Sequence, residues 1–350
     1  MEKSEILHTI PKAAAVTAFA VLIMVYPSAA AESTVNSINV CINAIIPSMF
    51  AFMALSSYVQ SSGLYRVIFR PVLFILRHII NADDEILSVF LLSLFGGYPV
   101  GVKLLGDIIS QNKNSPAIKE VCGKAAMFCY CVSPPFALIM LGNGVFGSTE
   151  AGMLIYISNV LACFICAAAV SGLRGLKCGG TVKNAGTGLA EAVGSAAHSL
   201  LTVCTVIVLF NTALTCVKCL FAGAGITLPD ILLGALEISN LLKISSPSVS
   251  LIPITAAISS FGGICVMMQC GAIVKGRFPI GRFIIARLPC ALMSGVICRI
   301  LLLFTDISVS ASTFSGQHIY KFSANIMIVP ILMAMCIIFF NKSDKISEKL

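Results

Sequence analysis

The sequence predicts an all-α polytopic membrane protein in which a broken helix occurs twice. Three observations lead there: extreme apolarity, a series of long charge-free runs, and a glycine motif repeated in the two halves of the chain. Of the 350 residues, 58% are hydrophobic and 11% charged, against roughly a quarter charged in a typical soluble domain. No Asp, Glu, Lys or Arg occurs in 13–31, 33–65, 125–149, 151–173, 192–217, 244–274 or 322–341. A spanning helix needs about 20 apolar residues, and several of these runs are long enough. The other spanning solution, a closed β-barrel, reads as short alternating segments, and no such pattern is present.

Residues 1–34 hold a polar leader with Pro11 and Lys12, then an apolar run at 13–31 closed by Glu32. The run ends on the small residues Ala29–Ala31, as a signal peptide does. The rest of the chain is equally membrane-like, so an uncleaved first helix is expected. Residues 35–60 form a second run, interrupted at Pro47. In 64–80, Arg66, Arg70 and Arg77 recur at spacings of four and seven, one face of an interfacial helix. Asp83–Asp84–Glu85 starts the next helix, and 86–110 is apolar but broken at Gly96, Gly97, Pro99 and Gly101.

A polar stretch, 111–124, precedes runs at 125–146 and 151–173, which flank Glu150. Ser133–Pro134–Pro135 interrupts the first of these. Residues 174–191, with Arg174, Lys177 and Lys183 among glycines, read as a basic linker. The linker separates a first membrane half, 35–173, from a second, 192–304, with apolar segments at 192–222, 228–245, 250–274 and 288–304. Residues 305–350 give a polar stretch, a last span at 322–341 and a tail with Lys342, Lys345 and Lys349. The basic ends and basic linker suggest cytoplasmic termini.

The net charge of +8 comes from short groups between apolar runs. That is a topology signal, not the clustered solvated face of a nucleic-acid binder. The 15 cysteines include the close pairs Cys129/Cys131, Cys163/Cys166 and Cys216/Cys219, but the four histidines sit beside none of them. A metal site needs further ligands at fixed spacings, and a thiol in an apolar run behaves as a small hydrophobe. No phosphate loop, HExxH or GxSxG is present, and no catalytic carboxylate pair is evident. Neither an enzyme nor a cofactor is expected.

The repeat is the most informative feature. SLFGGYPVGVKL at 93–104 and SSFGGICVMMQC at 259–270 align at a shift of 166: Ser93, Phe95, Gly96, Gly97 and Val100 match Ser259, Phe261, Gly262, Gly263 and Val266. Each half also has an earlier apolar run with a polar break, NAIIPSMF at 43–50, which includes Ser48, and GSAAHSLL at 194–201. Paired Gly/Pro interruptions in two halves point to the binding site of a secondary transporter. Glycine pairs relax the backbone, and Pro99 removes a helix hydrogen bond. In lipid, freed backbone groups are tolerated only where protein or water satisfies them, and a half-helix N-terminus there attracts anions. The competing reading is a close-packed helix seam; two copies at corresponding places favour the functional break.

Polar residues near these breaks complete the candidate binding set. Lys103 lies six residues after Gly97, and its counterpart is Gln269. An ionisable group at depth is costly and suggests function, unless Lys103 snorkels to the interface. Glu237, with Ser239 and Asn240 in GALEISN, can orient substrate, bind a cation or carry a proton; the alternative is a loop carboxylate. Ser133 and Pro134 line the same cavity or mark a simple kink. The set is therefore Ser48, Gly96, Gly97, Tyr98, Pro99, Lys103, Ser133, Pro134, Glu237, Ser239, Asn240, Gly262, Gly263 and Gln269. His198 reads as a packed histidine rather than a ligand.

NAIIPSMFAF at 43–52, GGYPVGVKL at 96–104, CVSPPF at 131–136, ALEISN at 235–240 and FGGICVMMQ at 261–269, in that order, span roughly residues 35–304. They resemble the YlbJ-like sporulation integral membrane proteins, also called SpoVV, within the nucleoside-recognition or Gate-domain family related to concentrative nucleoside transporters. Two departures stand out: Gly96 replaces the serine of the family form, and SPPF is a variant of its Asn/Ser-Gly-Pro-Phe element. The resemblance implies two inverted repeats with broken or re-entrant helices. It also implies import of dipicolinic acid (pyridine-2,6-dicarboxylate) into the forespore, across the cell membrane or outer forespore membrane of a spore-forming bacterium. A coupling cation or proton and the oligomeric state stay open. A dianion suits broken-helix N-termini plus Lys103, and its ring suits Phe95, Tyr98 and Phe261. The rivals are a nucleoside or other small-solute carrier and a non-transporting membrane assembly factor. A cavity holding Lys103, Glu237 and both glycine pairs would favour transport; sealed glycine seams would favour assembly.

Overall fold

A computed structural model describes residues 3–112, 115–170, 188–244, 246–275 and 280–307. Most of the expected linker, the span at 322–341 and the basic tail lie outside the described residues. Within them the chain is helical, with no strand. Four stretches are long and apolar enough to cross a membrane: Thr149–Ala169, Leu189–Gly223, Leu251–Val274 and Phe283–Phe304. A fifth arises if Ala13–Val25 and Pro27–Asn43, bent by 102° at their junction, make one span. These helices fit a multi-pass membrane protein.

The first half opens with α1 (Lys3–Val25) and α2 (Pro27–Val40). The turn falls at Tyr26, because Pro27 cannot continue a helix from before it but serves well in a first turn. The helix therefore runs straight through Glu32, where the sequence suggested an end, and the expected boundary at 34/35 lies inside α2. A π turn, Cys41–Ile45, leads into α3 (Ile46–Ser61). Pro47 lies directly after this π turn, in the first turn of α3, and the backbone stays helical on both sides of it. Two short helices, α4 (Tyr65–Ile68) and α5 (Arg70–Ile79), form the amphipathic stretch. Leu73 and Leu76 of α5 are buried while Val72, Phe74, Ile75 and Ile79 are exposed.

Helix α6 (Asp84–Gly96) starts where the acidic cluster predicts, with Asp84 and Glu85 in its first turn, the favourable end for negative charge. It stops at Gly97, and α7 (Tyr98–Gln111) begins at once. The break is at Gly97 alone. Pro99 lies in the first turn of α7, where its missing N–H costs nothing, and Gly101 continues the helix. Helix α8 (Pro116–Ala125) gives way to an irregular stretch, 126–133, before the π-helical turn Phe136–Asn143. Helix α9 (Thr149–Ala169) closes the half, with Ser148 accepting from the N–H of Ala151 at 3.2 Å.

The second half holds α10 (Leu189–Gly223), α11 (Asp230–Leu236), a 3-10 turn at Ile238–Lys243, α12 (Leu251–Phe261), α13 (Gly263–Val274) and α14 (Ile280–Leu301). Helix α10 runs 35 residues without interruption, so the expected break at 194–201 does not exist. His198 lies exposed on its surface rather than packed. Helix α14 begins well before 288 and takes Arg287 inside it.

Helix α7 is the centre of the packing. From Tyr98 to Gly106 every residue is buried, and α7 packs on α3, α6, α8 and α13. Helix α13 in turn packs on α10, and α12 on α9 and α14. The outer helices carry exposed Leu201, Leu209, Leu292, Val296 and Ile300, side chains suited to lipid. Between α2 and α10 the seam is polar: Ser33 Oγ meets Thr215 Oγ1 at 2.9 Å, and Thr34 Oγ1 meets Thr212 Oγ1 at 2.9 Å. Such hydroxyl pairs hold membrane helices together where apolar contact gives no preference for protein over lipid.

Candidate functional site

The site is built at the two helix breaks. Gly97, Gly262 and Gly263 have φ of 82°, 87° and 82°, a region that an L side chain rarely adopts. Each glycine faces a different part of the chain. A Cβ on Gly97 would lie 3.0 Å from Ser133 Cβ, and one on Gly96 would lie 2.8 Å from the ring of Phe52. A Cβ on Gly263 would lie 3.3 Å from both the Leu236 oxygen and the Ile238 nitrogen, which flank Glu237. Gly101 approaches the Cys129 carbonyl and Gly262 the Tyr130 hydroxyl so closely that a Cβ on either would collide. The motifs at 43–52, 131–136, 235–240 and the two glycine pairs thus converge on one interior region.

The two breaks are joined directly. The end of α12 leaves carbonyls with no partner further along the helix. Gly262 N–H takes the Ile258 carbonyl at 2.8 Å. Tyr98, which opens α7, donates its hydroxyl to the Ser259 carbonyl at 2.5 Å. Arg287 Nη2 donates to the Ser260 carbonyl and, at 3.1 Å, to Ser260 Oγ. The first residue after one break therefore caps the helix that ends at the other.

Arg287 was not among the residues expected. It is fully buried, donates from Nη1 to the Met127 carbonyl at 2.6 Å, and stacks 4.7 Å over the Tyr130 ring. It so ties α14 and α12 to the irregular stretch after α8. Tyr130 also packs on Tyr98, with ring centroids 4.9 Å apart. The signal was present in the sequence, since Arg287 stands between Phe283–Ile284–Ile285–Ala286 and Leu288–Pro289–Cys290–Ala291. Treating each charge as the edge of an apolar run hid it.

The other charged candidates are spoken for. Lys103 is only 2% exposed, so it does not snorkel to solvent. Its Nζ donates to Ser57 Oγ of α3 at 2.8 Å and to Asp107, one turn on, at 2.7 Å. The lysine charge is thus matched inside the protein. Glu237 is likewise buried; its carboxylate accepts from the Ser239 N–H at 2.8 Å and from the Ser239 hydroxyl, which caps the following 3-10 turn. Asn240 Oδ1 accepts from Lys243 Nζ at 3.0 Å. Gln269 is buried and turned onto Cys265 Sγ at 3.4 Å. Ser133 and Pro134 are half-buried beside Gly97. The Ser48 side chain lies outside the described residues. Phe95, expected to meet a substrate ring, is 53% exposed and points away from the interior.

Among the described residues no group of three or more His, Cys, Asp or Glu is placed to hold a metal, and the cysteines are free thiols. What the arrangement offers chemically is an interior meeting point of two interrupted helices with a buried guanidinium beside it. Comparison with protein families, characterised proteins and solved structures finds no match.

Proposed function

We propose that the chain is a membrane carrier, not an enzyme, for a small anionic solute. The observation behind this reading is the junction of the two broken helices, where Tyr98 of one reaches the Ser259 carbonyl of the other beside the buried Arg287. Broken helices are costly in a membrane unless their freed groups meet protein, water or a solute, and transporters use such breaks at their binding sites. A two-repeat organisation with the halves inverted in the membrane accounts for the paired motifs. Rocking of one half against the other then exposes the junction to each side in turn. The motif resemblance names dipicolinic acid, entering the forespore, as the solute; a nucleoside is the alternative cargo.

A second reading, a non-transporting membrane assembly factor, draws on the tight fit of Gly97 against Ser133 and of Gly262 against Tyr130. Packing of that kind is what a sealed seam requires. Uptake decides between the two. Purified protein in proteoliposomes is given radiolabelled dipicolinate, with uridine in parallel. Saturable dipicolinate uptake supports the anion carrier. Uridine uptake alone keeps a carrier and removes the anion, and uptake of neither solute favours assembly.

A further inference from the structure

Three buried groups meet at the start of α13 in a way that packing does not account for. The first is the Arg287 guanidinium, fully buried inside a helix long and apolar enough to cross a membrane. Its described partners are neutral: the Met127 and Ser260 carbonyls, the Ser260 hydroxyl, the Cys163 thiol and the Tyr130 ring. Its Nε finds no hydrogen-bond acceptor among the described residues. A buried cation without an anion is strongly unfavourable, since neutral dipoles replace only part of its hydration. Lys103 shows the contrast, because Asp107 matches it.

The second is the Tyr130 hydroxyl. It is fully buried and also has no partner among the described residues, although buried tyrosine hydroxyls ordinarily find one. It lies against Gly262, the residue from which α13 starts. The third is that helix start itself, whose first N–H groups have no acceptor within the helix and carry the positive end of its dipole. A phenylalanine at 130 would pack equally well and leave no orphaned hydroxyl. An arginine used only to cap carbonyls at the end of α12 would have its charge offset only in part, by the negative end of that helix dipole.

We infer that Arg287, the Tyr130 hydroxyl and the opening N–H groups of α13 form the subsite that holds the anionic group of the solute, a carboxylate. This rests on the carrier reading and deepens it by moving the counter-charge from Lys103 to Arg287. Arginine suits the task because its fixed fork presents several donors to a carboxylate. Tyr130 packs against Gly262 in this structure, so the anion enters when the break opens and the hydroxyl swings from the glycine to the carboxylate. One unpaired positive charge sets the selectivity: the subsite binds one carboxylate and rejects cations.

The test is dipicolinate uptake by wild-type protein, Tyr130→Phe and Arg287→Lys in proteoliposomes, with thermal unfolding measured on each. Tyr130→Phe is the decisive variant because it removes only the hydroxyl and leaves the ring contacts. The subsite predicts a KM raised by about 10-fold or more, as for loss of a hydrogen bond to a charged group, with no fall in Tm. Arg287→Lys keeps the charge but loses the fork together with its bonds to the Met127 and Ser260 carbonyls, so a raised KM with a lower Tm is expected, and Tyr130→Phe alone separates binding from stability. Wild-type uptake with a Tyr130→Phe KM within about twofold of it overturns the subsite and leaves the carrier reading standing. Absence of dipicolinate uptake by the wild type overturns both.

Discussion

Lys103 and Gly262 represent two kinds of residue at this centre, one satisfied and one strained. Lys103 is buried against Ser57 and Asp107, and the Asp107 side chain is 35% exposed. Lys103→Met should lower stability by about 1–3 kcal/mol, the cost of leaving a charged partner unmatched. Adding Asp107→Asn should recover part of that loss. Thermal unfolding of the two single variants and the double variant measures the coupling, and simple additivity would rule the ion pair out. Dipicolinate KM should be little changed by Lys103→Met if Arg287 supplies the counter-charge.

Gly262→Ala places a Cβ on a residue at φ 87° and drives it into Tyr130. The backbone conformation alone costs about 1–2 kcal/mol. Loss of Tm should be larger than for Gly281→Ala, where a Cβ meets no atom within 4 Å. Equal effects of the two substitutions would show that the break is not under this constraint.

At residue scale the glycine pairs were legible because a repeated Gly-Gly inside apolar sequence has few explanations. Arg287's partners and the place of Tyr130 were not. Nothing in the local sequence shows that Arg287 reaches Ser260 and Met127, 27 and 160 residues away along the chain. Lys103 and Asp107 stand one helical turn apart, and that pairing was available from spacing alone.

The helices themselves were read with uneven success, and the reasons are physical. Where a start signal coincided with an apolar run, the boundary was legible, as at Asp83 before α6; the run at 151–173 located α9, but its cap, Ser148, emerges only from the structure. Ser148→Ala should therefore cost about 1 kcal/mol, seen as a lower Tm, and no change would mean that the 3.2 Å cap contributes nothing. Polar residues alone were a poor guide. In 194–201, Ala196, Ala197 and Leu200 favour helix, and a single glycine costs only about 1 kcal/mol, so α10 continues through them. Pro99 occupies the first turn of α7, after the break at Gly97, and Pro47 follows a π turn that leaves the backbone helical. Only the glycines that take a left-handed φ end a helix at the site.

For the molecule as a whole, composition was sufficient for the class: apolar helices that fit a multi-pass membrane protein. The convergence of motifs from 43–52, 96–104, 131–136, 235–240 and 261–269 on one interior region was foreshadowed by the repeat, but its chemistry was not. Lys103 is matched by Asp107 and Glu237 is hydrogen-bonded by Ser239, whereas Arg287 on α14 has neutral partners among the described residues. A carrier working by alternating access must return its empty site, or exchange one solute for another, through this junction. Counterflow measures that directly. Proteoliposomes preloaded with unlabelled dipicolinate are diluted into a trace of labelled dipicolinate, and the label is followed with time. Alternating access at this junction predicts transient accumulation of label above its equilibrium level, absent from protein-free vesicles. Label that never rises above equilibrium, in vesicles shown to contain folded protein, would contradict it.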